Sequence, residues 1–167
     1  MALRQKEKKG IKPISDPIAE FNSMNKYAWL SNFFQTFFFD PEHKIVFPSV
    51  ESAYVCFKAR KANRLDLLPE LAHTLDPKAV KREGSDLWQR ETGEDDEEAI
   101  AEMKRLVTLK FEQNPAIRAW LVSSEATLRE HTSDYFWGTA FGTDLSESSN
   151  HLGRIIEEVR QELASGS

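Results

Sequence analysis

The sequence predicts an α+β fold, a helix-rich single domain with a small antiparallel sheet, and three observations predict it. Long stretches without internal proline carry apolar residues at helical spacing, most plainly after Asn150, where Leu152, Ile155, Ile156, Val159 and Leu163 share one face. Two short strand-like runs, residues 35–39 and 44–47, flank Asp40-Pro41-Glu42-His43, a turn-forming tetrad, and read as a hairpin. Two strands alone are marginal in water, so the hairpin requires a helical layer against it. The third observation is bulk: 167 residues, 40% hydrophobic and 11% aromatic, suit one packed domain that needs no disulfide or metal staple.

Each element has its punctuation. Residues 1–16 are polar and are expected to be loose, with the lysines from Lys6 to Lys12 read as a solvated terminus in preference to a nucleic-acid tail. From Pro17 the pattern changes, and residues 17–165 form the expected domain. Ile18, Phe21, Trp29, Leu30, Phe33 and Phe34 bring a dense aromatic and aliphatic cluster. After Pro48, Ser49 is a good N-cap for a helix reaching about Asn63. Two shorter helices follow, residues 65–73 and 76–83, the second opened by Asp76 with Pro77 at its first position and stopped by Gly84. Gly93 and the acids Glu94, Asp95, Asp96, Glu97 and Glu98 begin a long helix ending near Gln113. Acids there suit the positive end of the helix dipole, so the run reads as a helix start and not as a metal site. Asn114-Pro115 restarts a helix with Ile117, Trp120 and Leu121 on one stripe. Residues 127–131 read as a strand, and 132–149 as a glycine-containing loop before the last helix. No internal repeat is present.

Composition removes several function classes. A formal net charge of −5 argues against coating of nucleic acid by neutralised phosphates, though a local basic pocket remains compatible. The single cysteine, Cys56, excludes an intramolecular disulfide and a cysteine-paired zinc or iron–sulfur site. No apolar run approaches the ~20 residues of a membrane span, and the basic start lacks the apolar core of a secretory signal. A cytoplasmic protein with no membrane partner is expected.

Three constellations carry chemistry. Glu51 and Lys58 lie seven residues apart, so ~100° per residue brings them within ~20° on one helix face, ~10 Å apart along the axis. That spacing is too long for a direct ion pair, and Tyr54 sits between them. An acid, an aromatic and an amine on one stripe suit a ligand the length of a sugar ring; a solvated charged face is the other reading. The second constellation is Asp134 with Tyr135, Phe136, Trp137 and Gly138. A second carboxylate beside aromatics is the usual equipment for glycoside cleavage, while Asp134 as a turn cap and Trp137 as core are the structural alternatives. The third is Ser148-Ser149-Asn150 before the last helix, a potential anion site at a helix N-terminus.

Taken together these pieces resemble the YbiA-like, NADAR (NAD- and ADP-ribose-associated) group of N-glycosidases. The matching blocks are Phe21-Asn22-Ser23, Leu30-Ser31-Asn32-Phe33, Pro48-Ser49-Val50-Glu51 with Lys58, and Leu109-Lys110-Phe111-Glu112-Gln113-Asn114. Further on are Leu128-Arg129-Glu130-His131-Thr132 with Asp134, Phe136-Trp137-Gly138, and Asn150-His151-Leu152-Gly153 with Arg160. The resemblance covers about residues 18–163, in the family's order.

It implies a YbiA-like fold and a hydrolase that cuts the N-glycosidic bond of a phosphorylated ribose. The substrate would be a phosphoribosyl intermediate of riboflavin biosynthesis or ADP-ribose on guanine of nucleic acid. Carried over residue by residue, Glu51, Lys58 and Asp134 are the catalytic candidates. Asn32, Tyr54, Trp137, Gly138 and Asn150 are the substrate-binding ones, and Trp29 is a further candidate for stacking on the base. No cofactor and no metal is implied. Two departures from the family pattern, Ser52 in place of a frequent histidine and Val55 in place of a frequent glutamine, are expected to lie beside the pocket and to bear on substrate identity. A third is the acidic stretch of residues 93–98, which resembles an insertion after Trp88. The rival readings are a non-catalytic module that binds ADP-ribose or a nucleotide, and a partner-binding protein that uses the acidic stretch.

Overall fold

A computed structural model describes residues 10–142 and 149–166. Lys6 to Lys9 of the basic start, and Ser148 of the third constellation, lie outside the described residues. The chain is organised as two compact units, Asn32–Asn114 and Met1–Ser31 with Pro115–Ser167. Six α-helices and two two-stranded sheets are present among the described residues.

In the unit Asn32–Asn114, the expected hairpin forms from β2 (Phe38–Asp40) and β3 (Ile45–Phe47), antiparallel with Phe38 opposite Phe47. Those two rings lie 6.0 Å apart and are buried, while Phe39 and Val46, opposite each other on the other face, are exposed. Helix α1 (Val50–Lys61) starts where Ser49 accepts a hydrogen bond from Ser52 N–H at 3.1 Å. Val50, Ser52, Ala53, Tyr54, Val55, Cys56, Phe57 and Ala59 are all buried, so α1 is enclosed on most sides. It packs against α2 (Leu68–His73), α3 (Pro77–Gly84) and α4 (Gly93–Glu112). Burial pushes the Cys56 thiol up to about 12, which makes it an inert core residue.

The acidic run is a helix start, as expected. Thr92 accepts from Asp95 N–H while the Asp95 carboxylate accepts from Thr92 N–H, a capping box, and Glu94, Asp95 and Asp96 occupy the first turn. At the other end of α4, Gln113 donates to the Phe39 carbonyl and accepts from its N–H, both at 2.7 Å. Asn114 accepts from Thr36 at 2.6 Å. These side chains occupy the outer edge of β2 and tie the hairpin to α4.

Deeper in the same contact, Asp40 is fully buried and receives Arg105 through two bonds of 2.8 and 3.0 Å, with His43 at 3.0 Å. Burial alone would raise the Asp40 carboxyl, but the Arg105 guanidinium and His43 outweigh it and hold the group well below the usual carboxylate range. Lys110 is also fully buried, its ammonium 5.1 Å from the Phe111 ring centre and 5.7 Å from that of Phe34, and burial pulls it down to about 7.

The unit of Met1–Ser31 with Pro115–Ser167 contains a pairing that the sequence reading lacks. β1 (Ile18–Phe21) runs parallel to β4 (Thr127–Glu130), with Ala19 opposite Leu128. The small antiparallel sheet is therefore joined by a second, parallel pair. Helix α5 (Pro115–Val122) buries Ile117 and Leu121 and packs on α6 (His151–Ser165), whose expected apolar face is buried. Helix α6 in turn lies on β4, and Gly153 is what lets it approach: a Cβ there would overlap the Leu128 carbonyl and the Asn150 side chain. Of the start expected to be loose, residues 12–16 are held. Lys12 O accepts from Trp29 Nε1 at 2.8 Å, and Asp16 accepts from the Tyr27 hydroxyl. Among the described residues no helix is long and apolar enough to cross a membrane.

Replacing Arg105 with methionine leaves a buried, uncompensated Asp40 and is expected to lower the unfolding free energy by about 3 kcal/mol, measured by urea denaturation at neutral pH. Protonating Asp40 removes the same interaction. Because its folded pKa is depressed, its contribution is present above the unfolded value of 3.8 and is lost as pH falls, so Arg105→Met also blunts the acid sensitivity of the wild type.

Candidate functional site

The sequence-derived candidates fall into both units. Asn32, Glu51, Tyr54 and Lys58 belong to Asn32–Asn114, and Asp134, Trp137, Gly138 and Asn150 belong to the other unit.

The first group is assembled around the start of α1. The Asn32 carbonyl accepts from Glu51 N–H at 3.1 Å, one of the orphan donors of the first turn, and so fixes Asn32 against the helix end. The Asn32 side chain is buried; its amide nitrogen meets the Met103 sulfur at 3.3 Å, while its Oδ1 is shut off from solvent without a hydrogen-bond partner. An unsatisfied buried acceptor costs roughly 1–3 kcal/mol, which a ligand donor would recover. Glu51 lies in the first turn, half-buried. Tyr54 is 7% exposed and packs on Phe57 with ring centres 5.6 Å apart.

Lys58, half-buried, has its amine pulled below the ordinary lysine value. Burial is the main cause; Arg90 and Lys81 push the same way, and Glu51 and Asp86 oppose them. The helix stripe read from periodicity is thus an acid and an amine that feel each other's charge. Lys81, Asp86 and Arg90 escaped the sequence reading because they come from α3 and the segment after it, with no spacing rule linking them to Lys58. Trp88, from that same segment, stacks edge-on to Phe57 at 5.5 Å and lies under the Lys61 ammonium.

The departures Ser52 and Val55 prove to be packing residues. Ser52 Oγ donates to the Leu71 carbonyl of α2 at 2.8 Å, and Val55 fills the space that Gly84 of α3 leaves by having no side chain. Ser52 lies ~100° from Glu51 and faces α2, whereas Val55 lies ~40° from Glu51 and ~60° from Lys58, so it borders the stripe while packing on α3.

In the second group, Asp134 is exposed and its Oδ1 accepts from Phe136 N–H at 2.8 Å and Trp137 N–H at 2.7 Å. It caps its own turn, the structural alternative read from sequence. Trp137 is half-buried, edge-on to Phe136 at 4.7 Å and to His151 at 6.5 Å. Gly138 is buried where a Cβ would overlap the Thr132 hydroxyl, so it supplies close packing. Asn150, at φ 44°, clamps β4: its Oδ1 accepts from Glu130 N–H at 3.1 Å and its Nδ2 donates to Leu128 O at 3.0 Å.

The anion site expected before α6 is not supported. The N–H groups of Ser149, Asn150, His151 and Leu152 donate to the carbonyls of Tyr135, Gly138, Phe136 and Trp137, so these donors are already spent. Trp29 is likewise corrected: it is fully buried, edge-on to Trp120 at 5.6 Å, and cannot stack on a ligand base.

The Lys58 amine makes a directional test. Between its lowered folded pKa and its ordinary 10.5 the unfolded chain binds more protons, so stability rises with pH across that window and the charged amine costs stability below it. Lys58→Met is expected to flatten the rise, measured as unfolding free energy from pH 7 to 10. Lys110→Met should remove a separate rise of the same sign that begins near 7.

Comparison with known proteins places this geometry. The NMR structure of the E. coli protein YbiA is similar, with a TM-score of 0.74 at 25% identity, over 92% of this chain and 88% of that one. No curated protein matches the chain. The NADAR domain profile matches residues 20–164, which includes every candidate residue above, and the chain therefore belongs to the NADAR domain family.

Proposed function

We propose that the chain is an N-glycosidase, a hydrolase that cleaves the bond between a base nitrogen and C1′ of a phosphorylated ribose. The observation that carries this is the half-buried Lys58 amine, pulled down by burial, with the Glu51 carboxylate within electrostatic reach on the same helix face of a NADAR domain. An amine that sheds its proton more easily is a better nucleophile near neutral pH. Lys81 and Arg90 add positive charge around it and suit a substrate phosphate. The orphaned Asn32 Oδ1 suits a ribose hydroxyl donor.

In the proposed sequence, the C1′–N bond breaks with its electron pair going to the base nitrogen, which takes up a proton. Glu51 stabilises the developing oxocarbenium charge. The Lys58 nitrogen bonds to C1′, its proton passing to a carboxylate or water. The C1′–O4′ bond then opens, its electron pair going to O4′, which takes up the proton released by the lysine from that carboxylate or water. This gives a protonated Schiff base, which water hydrolyses to the free sugar phosphate and the amine.

Borohydride added during turnover is expected to reduce the Schiff base and leave a stable ribosyl phosphate adduct on Lys58, read by peptide mass spectrometry. Turnover without an adduct overturns the covalent route and reduces Lys58 to a phosphate ligand. Glu51→Gln is expected to lower kcat by about 10²- to 10⁴-fold while leaving ligand affinity within a few-fold. If neither the wild type nor the variant cleaves while both bind ADP-ribose, the chain is a binding module.

Asp134, in the other unit, is tested by itself for a part in the chemistry. Asp134→Asn retains the turn-capping oxygen and removes the charge, so a fall in kcat at unchanged melting temperature assigns it to the chemistry, and unchanged kcat assigns it to the turn. Product analysis with a phosphoribosyl-aminopyrimidine and with ADP-ribosylated guanine DNA distinguishes the two substrate classes.

A further inference from the structure

On the unit Asn32–Asn114, away from the Glu51–Lys58 stripe, a cleft of about 340 Å³ is lined by the hairpin turn, α1 and α4, including Glu42, Phe57, Arg60, Glu98, Glu102 and Arg105. Its size is at the lower end of ligand pockets, which run from roughly 300 to 1,000 Å³. Arg60 follows Glu51 by nine residues, so ~100° per residue turns it ~180° around α1, to the opposite face.

The charges in this cleft are matched except for one. Arg105 is gripped by Asp40 at 2.8 Å, Glu102 at 2.7 Å and Glu42 at 3.2 Å. Glu98 is held by Lys61 at 2.7 Å. The Arg60 guanidinium makes no hydrogen bond or ion pair among the described residues, and its Nη1 is shut off from solvent without an acceptor. A guanidinium carries five donors in a fixed fork, and it matches a carboxylate bidentately. Leaving it unmatched in a half-buried position costs free energy that a ligand turning the fork toward the cleft would return.

The surrounding acids restrict what that ligand is. Three carboxylates, Glu42, Glu98 and Glu102, and two guanidiniums, Arg60 and Arg105, line the cleft, with the buried Asp40 a further acid on Arg105. This balance opposes a phosphate dianion and favours a single negative charge. Each of Glu42, Glu98 and Glu102 also keeps acceptor capacity beyond its ion pair, since a carboxylate offers about four lone-pair sites. Phe57 adds an apolar part to the wall of the cleft.

We propose that this cleft is a second binding site, for a small zwitterion whose carboxylate is taken by Arg60 and whose ammonium is taken by Glu98 and Glu102. The site stands on the face of α1 opposite the Glu51–Lys58 stripe and does not depend on the glycosidase reading.

The test follows the Arg60 Nε–H resonance and, in the Arg60 variants as well, the backbone amides of the lining residues Phe57 and Glu102, by ¹H–¹⁵N NMR of the full chain at constant ionic strength. The probes are 4-aminobutanoate, butanoate, butylamine and inorganic phosphate. The expected result is a saturable shift with 4-aminobutanoate, weaker binding of butanoate, and no saturation with butylamine. Arg60→Gln is expected to weaken 4-aminobutanoate by at least about tenfold, the loss of one charge-assisted pair. Glu98→Gln and Glu102→Gln are expected to weaken 4-aminobutanoate and leave butanoate unchanged. If Arg60→Gln does not fold, Arg60→Lys serves, since it keeps the charge, loses the fork and is expected to weaken binding too. Tighter binding of phosphate than of 4-aminobutanoate overturns the proposal, as does an absent shift or undiminished binding in the Arg60 variant.

Discussion

The enclosure of α1 governs the unit built around it. Eight of its twelve residues are buried, because α2, α3, α4 and β3 all pack on it. A helix in that position has little room for charged groups, and Glu51, Lys58 and Arg60 stand at a rim where desolvation is partial. Lys58 and Arg60 are both half-buried for this reason. Partial desolvation moves the Lys58 amine down, and the same circumstance leaves Arg60 with a donor that reaches neither water nor a protein acceptor. One packing constraint thus produces both the lowered Lys58 amine and the unmatched cation on the face opposite.

The enclosure depends in turn on the hairpin being held to α4. Two strands of three residues each would not persist alone. Arg105 and Asp40 join them from beneath, and Gln113 closes the open edge by exchanging two hydrogen bonds with Phe39. In the other unit Asn150 plays a comparable part, using both ends of its amide on the β4 backbone, with Gly153 allowing α6 to come close enough. Family blocks such as Lys110 to Asn114 and Asn150 to Gly153 therefore carry fold. A polar residue in such a block is not evidence of ligand contact until its hydrogen bonds are accounted for.

How much was legible in the sequence follows from how local each signal is. Ser49, Asp76 with Pro77, and the acidic start after Thr92 are capping signals complete within four residues, and they place the helices to within a residue or two. The hairpin was readable because its turn lies between its strands. Strand β1 was not, since its partner β4 lies more than a hundred residues further along and parallel pairing leaves no turn to recognise. Trp29 illustrates the limit for single residues: an aromatic ring in a rich cluster is as good a base-stacker as a core residue until its exposure is known.

By itself the sequence determined the helices, the hairpin, the Glu51–Lys58 stripe and the family, because periodicity, capping and motif order are properties of the chain. Only the tertiary structure decided what surrounds that stripe. Lys81, Asp86 and Arg90 act on Lys58 from another helix and the segment after it. Ser52 is bonded to α2 and Val55 fills the space at Gly84 of α3, and the donors before α6 are consumed by the carbonyls of residues 135–138. Electrostatic coupling, burial and hydrogen-bond satisfaction are sums over neighbours in space, and those neighbours are set by packing between segments that no local pattern connects.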